Sequence, residues 1–224
     1  MRQLDRPRTN LVTSGGLVNS IIGHGDLLPL GRMVYRMVMP QTVPSWTVEM
    51  VDALPDDGQR HELIDGELFV TPSPGEFHQD VVLRLLFRLG PYLDTNRHGK
   101  LVVSPSDVRR GDYSRNRVQP DVFVIRMVNG ERPTYPYELS HLLLAIEVAS
   151  PGNALYDYQT KRALYLREGV EQYWVVNPEA RNVSVWRGRD EPGEVLSNEV
   201  QWLPAGATQP LVIQLPEFFE EALR

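Results

Sequence analysis

The sequence predicts a mixed α/β domain, a central sheet with helices packed on it, and three observations carry that prediction. Strong helical periodicity occurs first between Glu76 and Leu93, where Val81, Leu85, Leu89 and Val82, Leu86, Leu93 recur at helical spacing. Three apolar, strand-like runs follow it: "KLVVSPSDV", "VQPDVFVI" and "HLLLAIEVA". A second helical segment then precedes two more strand patterns. The order helix, three strands, helix, strand describes a mixed α/β core. A length of 224 residues suits one domain with an appendage, and 42% apolar residues suffice for a real core.

From the amino end, residues 1–40 show poor periodicity and scattered glycines, as in "TSGGLVNSIIGHGDLLPLGRM". They are expected to be a loosely packed, poorly ordered extension ahead of a domain over 41–224. "SWTVEMVDAL" reads as a short helix capped at Ser45 or Thr47. "HELIDGELFVTP" reads as a hairpin turning at Asp65-Gly66. After the helix and three strands named above, "ALYDYQTKRALYLREG" is the second helix, closed by Gly169. "EQYWVVNP" and "NVSVWRG" are strands joined by a turn at Asn177-Pro178. "PLVIQLPEFFEEALR" predicts a strand and a short terminal helix.

Composition narrows the function classes. The chain has no cysteine, which excludes disulfides and thiolate metal sites and fits a reducing, cytoplasmic setting. A formal charge of −6 makes non-specific nucleic-acid binding poor, unless a local basic patch or bound cations intervene. No apolar run reaches membrane-spanning length, so no membrane partner is expected.

Chemistry concentrates where polar residues interrupt apolar runs. Glu147 lies inside the run Leu142–Val148, and Pro151 and Gly152 follow at once. An unpartnered buried carboxylate costs several kcal/mol, so Glu147 must be paired, protonated or on a metal. Asp121 opens the buried run "VFVI", and Lys161 lies on the next helix, four residues beyond Asp157. Neighbouring strand ends can bring Asp121 and Glu147 together as a hard oxygen site suited to Mg²⁺ or Mn²⁺. With an amine beside it, such a site suits metal-assisted hydrolysis of a phosphodiester.

"QPDVFVI" followed by "AIEVAS" resembles the PD-(D/E)XK nuclease superfamily, with its restriction-endonuclease-like fold. The ordered set "HELIDGELFVTPSP…H", "QPDVFVI" and "IEVASPGN…YDYQTKRALYLREGVEQYWVVNP" resembles more closely the Uma-two family of that superfamily, over about Ser45 to Arg187. The resemblance implies that Asp121 and Glu147 are metal ligands, that Mg²⁺ or Mn²⁺ is the cofactor, and that the chain is an endonuclease with DNA as partner. A homodimer is the assembly allowed for. The superfamily lysine would stand two residues after Glu147, where this chain has Ala149. Lys161 matches the position it takes in the Uma-two pattern. Glu62 and His78 match acidic and histidine positions near the start of that pattern.

Plainer readings stand beside these. Glu147 and Lys161 could form only a buried ion pair, and Asp157 and Lys161 an ordinary i,i+4 surface contact. Glu62 could be a solvated strand residue and His78 a packed helix residue. Arg109, Arg110, Arg115 and Arg117 read either as a solvated loop or as a phosphate clamp. As whole-chain alternatives, a non-catalytic nucleic-acid- or protein-binding module keeping the fold, and a hydrolase of small phosphoesters, remain open.

Overall fold

The computed structural model describes residues 45–71, 75–110, 115–188 and 192–224. The extension expected over 1–40 lies outside the described residues.

Helix α1 (Val48–Asp52) begins at Thr47, whose hydroxyl accepts from the Met50 amide at 3.4 Å. Its buried face, Val48 and Val51, packs on Leu63. Strands β1 (Arg60–Ile64) and β2 (Glu67–Thr71) form the expected hairpin. Asp65 and Gly66 both take positive φ, 51° and 84°, as a type I′ turn requires. Helix α2 (Glu76–Asn96) runs through Pro91 and ends at Arg97 in the left-handed region.

Then come β3 (Lys100–Val103), β4 (Val108–Arg109), β5 (Arg117–Val118), β6 (Val122–Ile125), β7 (Tyr137–Glu138) and β8 (Leu142–Val148). A π-helical turn, Tyr156–Lys161, runs into α3 (Arg162–Arg167), and Gly169 at φ 81° turns the chain away. Strands β9 (Gln172–Asn177), β10 (Asn182–Trp186), β11 (Glu194–Leu196), β12 (Glu199–Trp202) and β13 (Leu211–Gln214) precede the terminal helix α4 (Leu215–Ala222).

Six strands form the central sheet in the order β11-β10-β9-β8-β6-β3. Strands β8 and β9 are parallel and the other pairs antiparallel, so the sheet is mixed. The second helical segment expected from the sequence explains this: it lies between β8 and β9, and a helical crossover permits parallel pairing. On one face lie α2, α4 and the β12–β13 hairpin, closing a core of Val81, Leu85, Leu89, Trp174, Trp202 and Phe219. On the other face Phe123, Tyr165, Tyr173 and Val175 pack together with residues of a second sheet, β2-β1-β5-β4-β7. Among the described residues no helix is long and apolar enough to cross a membrane.

The second sheet is a departure from the sequence expectation. The expected strands "KLVVSPSDV" and "VQPDVFVI" each split, giving the two-residue strands β4 and β5. Two residues are too few for a period-2 pattern to register. The strands β11 and β12 were likewise not expected.

Candidate active site in an acidic cleft

Side-chain alternation fixes where the acids point. Ile146 and Val148 of β8 enter the α2-side core, so Glu147 between them faces the second sheet. Val122 and Val124 also enter the α2-side core while Phe123 does not, so Asp121 shares the face of Glu147. Register agrees. Val122 pairs with Ile146 in an antiparallel ladder, and one further step sets Asp121 beside Glu147. The Val148 amide donates to Asp121 Oδ2 at 2.9 Å.

Both acids line a cleft of about 420 Å³, shared with Arg60, Glu62, His78, Tyr156, Asp157 and Lys161. Arg60 and Glu62, two apart on β1, share one strand face. Asp121 is held at three points: Arg60 Nη1 donates to Oδ1 at 2.9 Å, and His78 Nε2 and the Val148 amide reach Oδ2, each at 2.9 Å. Lys161 Nζ lies 2.9 Å from Glu147 Oε1, 2.9 Å from Glu62 Oε2 and 3.9 Å from Asp157 Oδ1. Tyr165 donates its hydroxyl to Glu147 Oε1 at 2.9 Å, and the Gln119 amide donates to Glu62 Oε1 at 2.8 Å. Lys161 also sits over the Tyr156 ring.

The π-turn explains how one short helical segment brings both Asp157 and Lys161 inward. The two lie four apart, close to one helical turn, so they share one side of the segment, and both are buried. Pro151 and Gly152 end β8 and start the turn that carries Lys161 back over Glu147, the role the sequence suggests.

The electrostatics follow from this crowding. Burial pushes the Glu147 carboxyl up, and Asp121, Asp157 and Glu62 push it further against the opposing pull of Lys161. Burial likewise raises Asp157 to about 7, again with Lys161 opposing and the neighbouring acids assisting. For Asp121 burial opposes ionisation, but the His78 hydrogen bond, the charge on that ring, Arg60 and Lys161 outweigh it and hold the carboxyl well below the usual range. Burial alone would lower Lys161, yet Glu147, Glu62 and Asp157 hold it well above the ordinary ammonium range.

The donor set fits a hard divalent cation. Glu62, Asp121, Glu147 and Asp157 face Arg60, Lys161 and the His78 imidazole, so acids exceed bases in the cleft. Among the described residues Glu62 Oε2 meets only the Lys161 ammonium, 2.9 Å away, and none donates to Glu147 Oε2. No group of three or more His, Asp or Glu among the described residues is gathered as a ready-made metal cage. Asp121 and Glu147 would therefore act as a two-carboxylate holder, the mode suited to Mg²⁺, which keeps several waters.

The structure thus brings together Asp121, Glu147, Lys161, Glu62 and His78. It does not bring the four loop arginines to the cleft lining. Arg109 pairs with Asp52 and Asp107, and Arg117 reaches the same two acids. Arg110 lies 3.4 Å from Glu168, and Arg115 donates to the Asp65 carbonyl at 2.6 Å. Sequence reasoning missed Arg60, Asp157 and Tyr165. Arg60 carried a usable signal: it stands two residues before Glu62, hence on the same strand face. Asp157 is not the surface partner that its spacing to Lys161 suggests, because it is buried within the π-turn.

A family model described as "Putative restriction endonuclease", Uma2, matches residues 48–222. Among solved structures, the chain is similar to a protein from Anabaena variabilis ATCC 29413 described as a putative nuclease belonging to DUF820. The TM-score is 0.64 at 21% identity, over 79% of this chain and 98% of that one. At that identity the likeness establishes the fold. No curated protein matches the chain.

Proposed function

Because the chain belongs to the Uma2 family, we propose that it is a divalent-metal-dependent endonuclease that hydrolyses DNA phosphodiester bonds. The observation that carries this reading is the pairing of Asp121 and Glu147 on adjacent strands, in a cleft whose acids outnumber its bases. Asp121 and Glu147 would hold Mg²⁺ or Mn²⁺. When bound, the cation supplies a Lewis acid at the phosphate and makes a nearby water more acidic.

The chain's own residues prepare that site. Arg60, His78 and the Val148 amide fix the Asp121 carboxylate and keep it ionised. Lys161 and Tyr165 fix Glu147 through one oxygen and leave the other to the cleft. Lys161 spans Glu147 and Glu62, so it acts as a positioning residue and as fixed positive charge for the transition state. Burial keeps bulk water from screening these charges.

Plasmid nicking tests the proposal. Wild type should nick in millimolar Mg²⁺ and stop with EDTA. Asp121→Asn and Glu147→Gln should each abolish nicking while the proteins stay folded by circular dichroism. A second reading, a nucleic-acid-binding module that keeps the fold, is favoured by one observation: the ammonium of Lys161 is already engaged by carboxylates. Binding of DNA with no cleavage under any divalent ion would establish that reading instead.

A further inference from the structure

None of Arg109, Arg110, Arg115 and Arg117, the arginines expected to grip phosphate, lines the cleft. Each has an acidic or carbonyl partner elsewhere. The arginine that does line the cleft is Arg60. Its Nη1 is committed to Asp121 Oδ1 at 2.9 Å and to the Gln119 carbonyl at 3.2 Å. No described residue accepts a hydrogen bond from its Nε or Nη2, and neither is an unsatisfied buried atom. Its side chain is 19% exposed, in a cleft where Asp121 and Lys161 are almost fully buried. One edge of the guanidinium is therefore fixed and the other is open.

We propose that Arg60 is the substrate-binding residue that grips a DNA phosphate, offering Nε and Nη2 while Nη1 stays on Asp121. The fixed edge removes the freedom that a lone arginine would lose on binding, and Nε with Nη2 is the fork that matches two phosphate oxygens. Asp121 anchors that fork beside itself, so the gripped phosphate lies next to the Asp121–Glu147 pair. The other cation of the cleft, Lys161, is surrounded by Glu62, Glu147 and Asp157 and has no such open edge. This inference rests on the nuclease reading and adds the residue that positions the substrate.

The test uses Arg60→Lys and Arg60→Gln in the full chain. Lysine keeps a charge that can pair with Asp121 but loses the fork, whereas glutamine loses both. Affinity is read by fluorescence anisotropy of a labelled 12-mer DNA duplex in Ca²⁺, and turnover by nicking in Mg²⁺. Arg60→Lys should keep the melting temperature of wild type yet bind DNA about tenfold to a hundredfold more weakly. The log–log salt slope should fall by about one. In nicking, the loss should appear chiefly in KM. Arg60→Gln should lose affinity as much or more.

Wild-type affinity and an unaltered salt slope in Arg60→Lys would overturn the proposal while leaving the nuclease reading intact, provided wild type nicks. A loss seen only in kcat, at unchanged affinity, would also overturn it and leave Arg60 as a support for Asp121. Absence of both DNA binding and nicking in wild type would instead remove the nuclease reading, and this inference with it.

Discussion

Two polar clusters border the second sheet, and they are built on opposite principles. One is the cleft of Glu62, Asp121, Glu147 and Asp157 with Arg60 and Lys161. The other joins Asp52 and Asp107 to Arg109 and Arg117. In the second cluster acids and bases balance, and Gln119 adds a hydrogen bond to Asp107 at 2.8 Å. Burial opposes ionisation of Asp107, but Gln119, Arg117 and Arg109 together lower its pKa. In the cleft the acids are in excess, and Glu147 and Asp157 titrate high. A matched network needs nothing further and serves to tie β4 and β5 to α1. An unmatched one holds free energy that a bound cation can release, which is why function is sought in the cleft.

The largest expected effect breaks the cleft's own compensation. Lys161→Ala leaves three buried carboxylates facing one another, which costs about 3–5 kcal/mol at neutral pH. Urea unfolding should record that loss, and it should shrink in acid as the carboxylates protonate. Divalent ion should recover part of it. Arg109→Ala, at a half-exposed partner, should cost less and should not respond to Mg²⁺.

Next in size is the response to metal. On the proposed metal-dependent reading Mg²⁺ would bind only the folded cleft, so it should raise the melting temperature, with about 2.7 kcal/mol gained at a hundredfold excess over Kd. Asp121→Asn and Glu147→Gln should each erase the rise. Asp107→Asn should lower the starting temperature and keep the rise. A thermal shift that survives both cleft substitutions would place the cation elsewhere.

The contrast between the clusters also marks what the sequence could reveal. Asp121 and Glu147 stand out because each is a lone charge at or in an apolar strand, but both strands are buried on both faces, so only packing and register put the two acids on one side. Lys161 follows from the second helix and the Pro151-Gly152 break. The long helix, the Asp65-Gly66 hairpin and the terminal strand and helix are legible for the same reason: their periods run long enough to read. Glu62 and Arg60 alternate like residues on a solvated strand face, and only the placement of β1 against the central sheet turns that face into a cleft wall. Asp157 has the spacing of a surface ion pair, and nothing local announces a π-turn. The loop arginines are conspicuous in the sequence because they are dense, yet their partners Asp52, Asp107 and Glu168 are distant or inconspicuous along the chain.

The pH response should separate the clusters by sign. Asp157 has a folded pKa of about 7 against an ordinary value of 3.8, because burial and neighbouring acids outweigh Lys161. An acid raised in the folded state binds its proton more tightly there, so stability falls as pH rises from about 4 to about 7. Asp157→Asn should flatten that fall. Asp107 is lowered instead, so its contribution is present above the ordinary aspartate range and disappears as pH drops through the folded value. Asp107→Asn should therefore remove stability at neutral pH and little of it in strong acid. Melting curves across pH 3–8 read both. A parallel response of the two variants would mean that the clusters do not differ in charge balance.

The smallest effect concerns Arg110, which belongs to neither cluster. It is 53% exposed, and its contact with Glu168 is 3.4 Å. Exposed pairs of this kind contribute about 0–1 kcal/mol, because solvent screens them and ordering two long side chains costs entropy. Arg110→Ala should therefore leave the urea midpoint nearly unchanged. If phosphate is gripped inside the cleft and not by the loop, the salt dependence of DNA binding should also stay as in wild type. A slope shallower by about one would count Arg110 as a phosphate contact. The matched arginines would then mark the edge of a DNA track that begins outside the cleft.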